Sequence, residues 1–217
     1  MLNPDVCEFV VVRHGQTEAN ISGVLQGQLD TPLDATGIAQ AEAIAERLKN
    51  DSFDMVFSSD LGRTMNTAEI ILKYHPELTI HPVTQLREWN LGDLQSKPYS
   101  LLKIQYPEIM AAFKTSPDDL VVPNGESLAE FQKRVSDFMN ELANEYPGKR
   151  LLLVSHGGAT QRMFRHVVGP VATGNITPLC ANSSLSVFRH SPSGWQLITW
   201  NDTAHLAMIK THDTLTF

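Results

Sequence analysis

The 217-residue chain has only two cysteines, Cys7 and Cys180, far apart and without a C-x-x-C pair. That excludes a disulfide framework and offers no zinc-ligand spacing, so both are expected to be buried thiols. Positive charge is also scarce. Seventeen Lys and Arg face 24 Asp and Glu, a formal net charge of -7, so no nucleic-acid or anionic-membrane partner is expected, because such surfaces need clustered cations. Any anion must be held by a local pocket. No apolar run approaches the length that crosses a bilayer. The opening MLNPDVCEF has neither the basic nor the apolar part of a secretory signal, and a cytoplasmic location is the expectation. Repeats, low-complexity stretches and clear linkers are lacking too, so residues 1–217 are taken as a single domain around one α/β core.

What the chain does have is an unbroken apolar strand that runs into a charged end. Phe9, Val10, Val11 and Val12 are apolar on both sides of the pleat, as in a parallel sheet covered on both faces. Arg13, His14 and Gly15 follow at the carboxyl edge, where open α/β sheets bind ligands. Cys7 and Arg13 match the C-x5-R spacing of cysteine-dependent phosphatases, but an extended strand at about 3.3 Å per residue holds them far apart, and the match is a coincidence.

Three later segments bring residues to the same edge. The loop ISGVLQGQLDTPLD presents Gln26 and Gly27, and Asp34 caps a helix from Ala35 to Lys49 whose apolar face is Ile38, Ala41, Ala45 and Leu48. A strand from Asp54 to Phe57 is followed by Ser58-Ser59 as the cap of a helix with the stripe Leu61, Met65, Ala68 and Leu72. Arg63 falls off that stripe in the first turn, where the helix dipole disfavours a cation that lacks an anionic partner or a function. Glu88 lies just beyond a strand at Thr79 to Val83. Residues 93–124, with Tyr99, Tyr106, Met110 and Phe113, form a lid-like insertion. Ser127 and Glu130 make a capping box before a helix with Leu128, Phe131, Val135, Phe138 and Leu142 on one face. The strand Leu151 to Val154 leads into Ser155-His156-Gly157-Gly158 and a helix that stops near Gly169, and the Gly157 N–H offers an anion contact at its start. Ser184 to Arg189 and Trp195 to Trp200 form an antiparallel hairpin at the sheet edge.

Arg13, His14, Arg63, Glu88 and His156 at one edge make a phosphate-handling set. Arginine forks onto phosphate oxygens, and Asn20 donates from the loop. As metal ligands His14 and His156 are poor candidates, because Arg13 neighbours the first and no carboxylate cluster accompanies Glu88. The other histidines, His75, His81, His166, His190, His205 and His212, carry no site motif.

In order, R-H-G-Q-T-E-A-N at Arg13 to Asn20, S-x-x-x-R-T at Ser59 to Thr64, Glu88, G-E-S at Gly125 to Ser127, S-H-G-G at Ser155 to Gly158 and N-D-T-A-H-L at Asn201 to Leu206 resemble the histidine phosphatase superfamily, also called the phosphoglycerate mutase-like family. The likeness covers nearly the whole chain. It implies a three-layer αβα sandwich, mostly parallel with an antiparallel edge, and a metal- and cofactor-independent enzyme with a phosphohistidine intermediate. His14 would then be the nucleophile, with Arg13, Arg63 and His156 on the phosphate and Glu88 as proton donor. Surrounding cations are expected to depress the pKa of His14 and keep one ring nitrogen free for attack.

Within that family the resemblance favours a phosphomonoesterase acting on a small-molecule phosphate ester. Between Arg87 and Lys133 there is no arginine, only Lys97, Lys103 and Lys114, whereas a mutase must hold a bisphosphate at both ends. The R-Y-G-G-L-Q-G type of stretch found in cofactor-dependent mutases is missing. The family pattern after Glu88 ends in Glu or Gln followed by glycine, and here Gln95 is followed by Ser96, a departure that bears on the lid. A mutase is the alternative. A non-catalytic binding protein on the same scaffold would be expected to have lost part of the set. Whether the enzyme is a monomer or a homodimer is open at this level.

Overall fold

Every residue of strand β1 (Cys7–Arg13) is buried, because Phe9 and Val11 pack into one core while Val10 and Val12 pack into a second core on the opposite face. A computed structural model describes residues 3–115, 119–169 and 178–209. His212, the side chain of Lys114 and residues 116–118 of the insertion lie outside the described residues.

β1 pairs in parallel with β4 (Arg150–Ser155), β4 with β2 (Met55–Ser59) and β2 with β3 (Ile80–Val83). On its other side β1 pairs antiparallel with β5 (Leu185–Ser191), which pairs with β6 (Gly194–Asp202). The order β3-β2-β4-β1-β5-β6 is thus a mostly parallel sheet with an antiparallel edge. Helices α2 (Ala35–Leu48) and α3 (Gly62–Leu72) cover one face, α6 (Leu128–Glu145) and α7 (Gly157–Val168) the other, which makes three layers. The short helices α1 (Glu18–Ser22), α4 (Tyr99–Gln105) and α5 (Pro107–Thr115) lie in the connections.

Local chemistry explains most boundaries. The Asp34 side chain accepts the Gly37 N–H at 2.7 Å and starts α2. Ser127 accepts the Glu130 N–H while the Glu130 carboxylate takes the Ser127 N–H at 2.8 Å, the reciprocal cap expected for α6. Leu128, Phe131, Val135, Phe138 and Leu142 are all buried, each such side chain being worth about 1.5–3 kcal/mol. In the insertion Met110 and Phe113 are buried, and Tyr99 and Tyr106 pack against the same core.

Two helix faces differ from the sequence expectation. On α2 Ile38 is exposed and Ile44 takes the buried position, which rotates the face toward α3. On α3 the buried side is Arg63, Thr64, Thr67, Ala68, Ile70 and Ile71 rather than an apolar stripe through Met65 and Leu72. Its N-cap position is Leu61, not Ser58-Ser59, and the first free N–H, that of Gly62, is taken by the Asp30 carboxylate at 2.7 Å from the preceding loop. Among the described residues no helix is long and apolar enough to cross a membrane.

Candidate active site

Register brings the two motif histidines together. Arg13 on β1 is paired with Ser155 on β4, so His14 and His156 leave adjacent parallel strands at equivalent positions. The His14 N–H extends the ladder to the Ser155 carbonyl at 2.9 Å, and the rings meet with centroids 5.2 Å apart.

Arg63 lies between them. It is buried, not solvated, because the loop 26–30 wraps the start of α3. Its Nη1 and Nη2 donate to the carbonyls of Leu29 and Gly27 at 2.6 and 2.7 Å, and its Nε–H is shared between His14 Nε2 at 3.3 Å and His156 Nδ1 at 3.2 Å. The misplaced cation at the helix start therefore has backbone carbonyls for partners.

These contacts determine both tautomers. His14 Nδ1 faces the Gly15 carbonyl at 2.6 Å and so carries the proton, leaving a lone pair on Nε2. His156 is the reverse: Nδ1 accepts from Arg63, and Nε2–H donates to Ser59 Oγ at 2.9 Å. Burial, then the charges of Arg63 and Arg13, push the pKa of His14 well below the ordinary imidazole value. Burial and Arg63 do the same to His156. The expected direction for His14 is therefore found, with burial ahead of the cations as its cause. Arg63 itself is lowered by burial to about 10 and stays cationic at neutral pH. Arg13 is anchored by the Cys180 carbonyl.

Glu88 reaches the same place from the loop after β3. Arg134 on α6 donates to the carbonyls of Gln85, Arg87 and Glu88, and is held in turn by Glu126 at 2.8 Å. One Glu88 carboxylate oxygen accepts the Trp89 N–H and the other the Gly158 N–H, both at 2.9 Å. A Cβ on residue 158 would sit 2.3 Å from the Glu88 carboxylate, so any side chain there would have to displace that carboxylate. Gly157 is similarly close to the Arg13 guanidinium, with a Cβ position 3.2 Å from Cζ.

One pocket is lined by Arg13, His14, Asn20, Gln26, Gly27, Arg63, Glu88 and Gly157. His156 belongs to the cluster but is fully buried behind Arg63 and does not line the pocket. Asn20 Oδ1 is taken by the Thr17 N–H and hydroxyl, each at 3.0 Å, and by Asn182 at 3.3 Å, which orients its amide. At the departure from the family pattern, Ser96 keeps the left-handed backbone a glycine would adopt, with φ of 64°. Its N–H holds the Leu25 carbonyl while Gln95 accepts the Gln28 N–H at 2.7 Å, so this turn still pins the 25–28 loop.

Sequence reasoning missed Gln161 and Arg162 on α7, and the apolar wall of Trp89, Leu91, Leu128 and Phe131, all of which line the same pocket. Helical spacing from Gly157 and Gly158 would have found the first two. The C-x5-R match is empty: Cys7 lies at the opposite end of β1 from Arg13, buried, its thiol pushed up to about 12 chiefly by burial. Among the described residues no three His, Cys, Asp or Glu side chains gather as metal ligands. What the pocket can do is present a neutral imidazole nitrogen, flanked by cations and sharing the pocket with a carboxylate, to an electrophile that carries negative oxygens.

The chain is similar to known proteins along nearly its full length. It is 34% identical over 209 residues to a metal-independent phosphoserine phosphatase of Arabidopsis thaliana, covering 94% of this chain and 85% of that one. It is 35% identical over 205 residues to phosphoglycerate mutase-like protein 4 of the same plant, covering 93% and 88%. A mycobacterial glucosyl-3-phosphoglycerate phosphatase superposes with a TM-score of 0.80 at 29% identity, covering 91% of this chain and all of that one. The family model of the histidine phosphatase superfamily, branch 1, matches residues 9–203, and with the site geometry above this chain belongs to that superfamily.

Proposed function

We propose that the protein is a phosphomonoesterase that hydrolyses small phosphorylated metabolites through a phosphohistidine at His14. The observation that carries this is the lone pair of His14 Nε2, held unprotonated beside Arg63 in a pocket that Glu88 also lines. The names of the relatives support a phosphoric monoester hydrolase.

In this mechanism Nε2 attacks phosphorus in line with the leaving oxygen. A P–N bond forms, the P–O ester bond breaks, and Glu88 gives its proton to the leaving alkoxide. Arg13 and Arg63 share the charge on the equatorial oxygens, Asn20 donates from the loop, and His156 supports Arg63 from behind. Water then attacks phosphorus, passing its proton to Glu88, and His14 is released with inorganic phosphate. The described residues of the 93–124 insertion act as the cover of the pocket, through Phe113 of α5, within a single domain. A cytoplasmic enzyme without nucleic-acid or membrane partners, monomeric or homodimeric, accompanies this proposal.

A mutase would need a second full phosphate site. Among the described residues the pocket has one cation beyond the reactive pair, Arg162, while Lys97 and Lys103 lie over the rings of Tyr106 and Tyr99. Rapid quenching with a 32P-labelled ester tests the proposal. Label stable to alkali and labile to acid is expected on the protein, and lost in His14→Ala; label on another residue type would overturn it.

A further inference from the structure

The motif N-D-T-A-H-L, at the end of β6 and just beyond it, does not line the pocket, yet its polar side chains reach the turn 180–184 that precedes β5. Asn201 Oδ1 accepts the Ala181 N–H at 2.7 Å. His205 Nδ1 accepts from Arg47 at 3.2 Å, so its proton is on Nε2, which donates to the Ser183 carbonyl at 2.9 Å. Asp202 in turn holds Arg47 at 2.5 Å. Ser183 and Asn201 both keep left-handed backbone, with φ of 53° and 52°, a strain that persists only where the surroundings over-determine it. The two braced residues, Ala181 and Ser183, flank the buried Asn182.

That turn grips the end of β1. The Arg13 N–H donates to the Ser184 carbonyl at 3.2 Å, and the His14 carbonyl accepts from both the Ser183 N–H and the Asn182 amide, each at 3.1 Å. The Asn182 amide also donates to Asn20 Oδ1 at 3.3 Å. Both neighbours are acceptors, so the NH2 end of Asn182 must face them. On the other side of the same peptide the Gly15 N–H donates to Thr67 Oγ1 at 3.2 Å. The peptide between His14 and Gly15 is thus held at its oxygen and at its nitrogen, and the carbonyl that follows it, that of Gly15, keeps the proton on His14 Nδ1.

We infer that Asn182, braced by Asn201 and His205, is a positioning residue that fixes the tautomer of His14 and ties the nucleophile to Asn20. Its catalytic consequence rests on the phosphomonoesterase proposal above. A reacting group misplaced by about 1 Å costs on the order of 10² in rate, so kcat on p-nitrophenyl phosphate is expected to fall roughly ten- to hundredfold in Asn182→Ala. Asn182→Asp, equal in size but with acceptors where donors stood, should fall further, whereas a side chain that only filled space would give the reverse order. His205→Gln keeps an N–H donor and most of the rate, and His205→Ala loses it.

Long-range 1H–15N correlation of the histidine rings at pH 7.5 reads the tautomer directly, the His14 signal being the one lost in His14→Ala. The wild type should carry the proton on Nδ1, and Asn182→Ala should move part of the population to Nε2. An unchanged tautomer in Asn182→Ala, or an Asn182→Asp enzyme at least as active as Asn182→Ala, overturns the inference. The spectrum needs no turnover, which separates the two proposals. A shifted tautomer in a protein whose parent hydrolyses no ester keeps the brace and removes the phosphomonoesterase. Turnover with the wild-type tautomer in every variant does the opposite.

Discussion

The Nε–H of Arg63 stands 3.3 Å from Nε2 of His14 and serves His156 Nδ1 at 3.2 Å with the same hydrogen. One guanidinium thus orients both rings while two loop carbonyls hold its far end. Lysine keeps the charge but has no fork to reach four acceptors. Arg63→Lys is expected to lower kcat on a chromogenic phosphate ester by about 10²–10³, the usual loss for one preorganised donor, with an unchanged circular dichroism spectrum. Activity within a few-fold of wild type would show that charge alone suffices.

Acid should destabilise the fold through the same pair. His14 and His156 are held well below the ordinary imidazole value, chiefly by burial, so between that value and their folded values the unfolded chain binds more protons than the native one. The stability is therefore fully present above about pH 6.5 and falls as pH drops below it, by about 1.4 kcal/mol per pH unit for each such histidine. His166 and His205 are lowered as well and add the same sign. Urea unfolding between pH 7.5 and 5 measures the slope, and His156→Asn should make it shallower. An equal slope in the variant would exclude His156 as a contributor.

The contact between Gly158 and Glu88 gives a test by leaving group. Gly158→Ala places a methyl carbon against the Glu88 carboxylate, 2.3 Å away unless the carboxylate shifts, and also perturbs the N–H that holds it. If Glu88 is the proton donor, alkyl phosphates should lose about 10²–10⁴ in kcat/KM, the range of general acid catalysis, in both Gly158→Ala and Glu88→Gln. p-Nitrophenyl phosphate, whose leaving group needs no proton, should lose much less. Equal losses for the two ester types would remove Glu88 from that role.

Ser96 stores strain at the turn that pins the 25–28 loop. Its φ of 64° costs an L-residue about 1–2 kcal/mol, while glycine there gives back about 0.5–1 kcal/mol in unfolded-chain entropy. Ser96→Gly is expected to raise stability by about 0.5–1 kcal/mol in urea unfolding. Destabilisation would mean that the serine side chain contributes more than the backbone conformation costs.

Much of the fold was legible because its signals are local. The unbroken Phe9–Val12 run announces a strand buried on both faces, and the Ser127–Glu130 cap with its stripe announces α6, each from residues within a few positions of one another. The order Arg13 and His14, Arg63, Glu88, His156 could be placed at one sheet edge because each follows a strand end. Arg63 was misjudged as lying off the buried face. Hydrophobic periodicity records where apolar side chains point, and the partners that bury this cation, the carbonyls of Gly27 and Leu29, come from a loop more than thirty residues away. The α3 cap from Asp30 failed to show for the same reason, and Arg162 escaped notice because polar positions on α7 look alike until a pocket exists on one side of them.

By itself the sequence determined which chemical groups are available and that strands deliver them to a common edge, since identity and short-range pattern are properties of neighbouring residues. The tertiary structure alone decided their chemical state. Which histidine nitrogen carries the proton, that His14 rather than His156 reaches the pocket, and that both rings stay neutral beside two arginines all depend on burial and on hydrogen-bond partners distant in the chain.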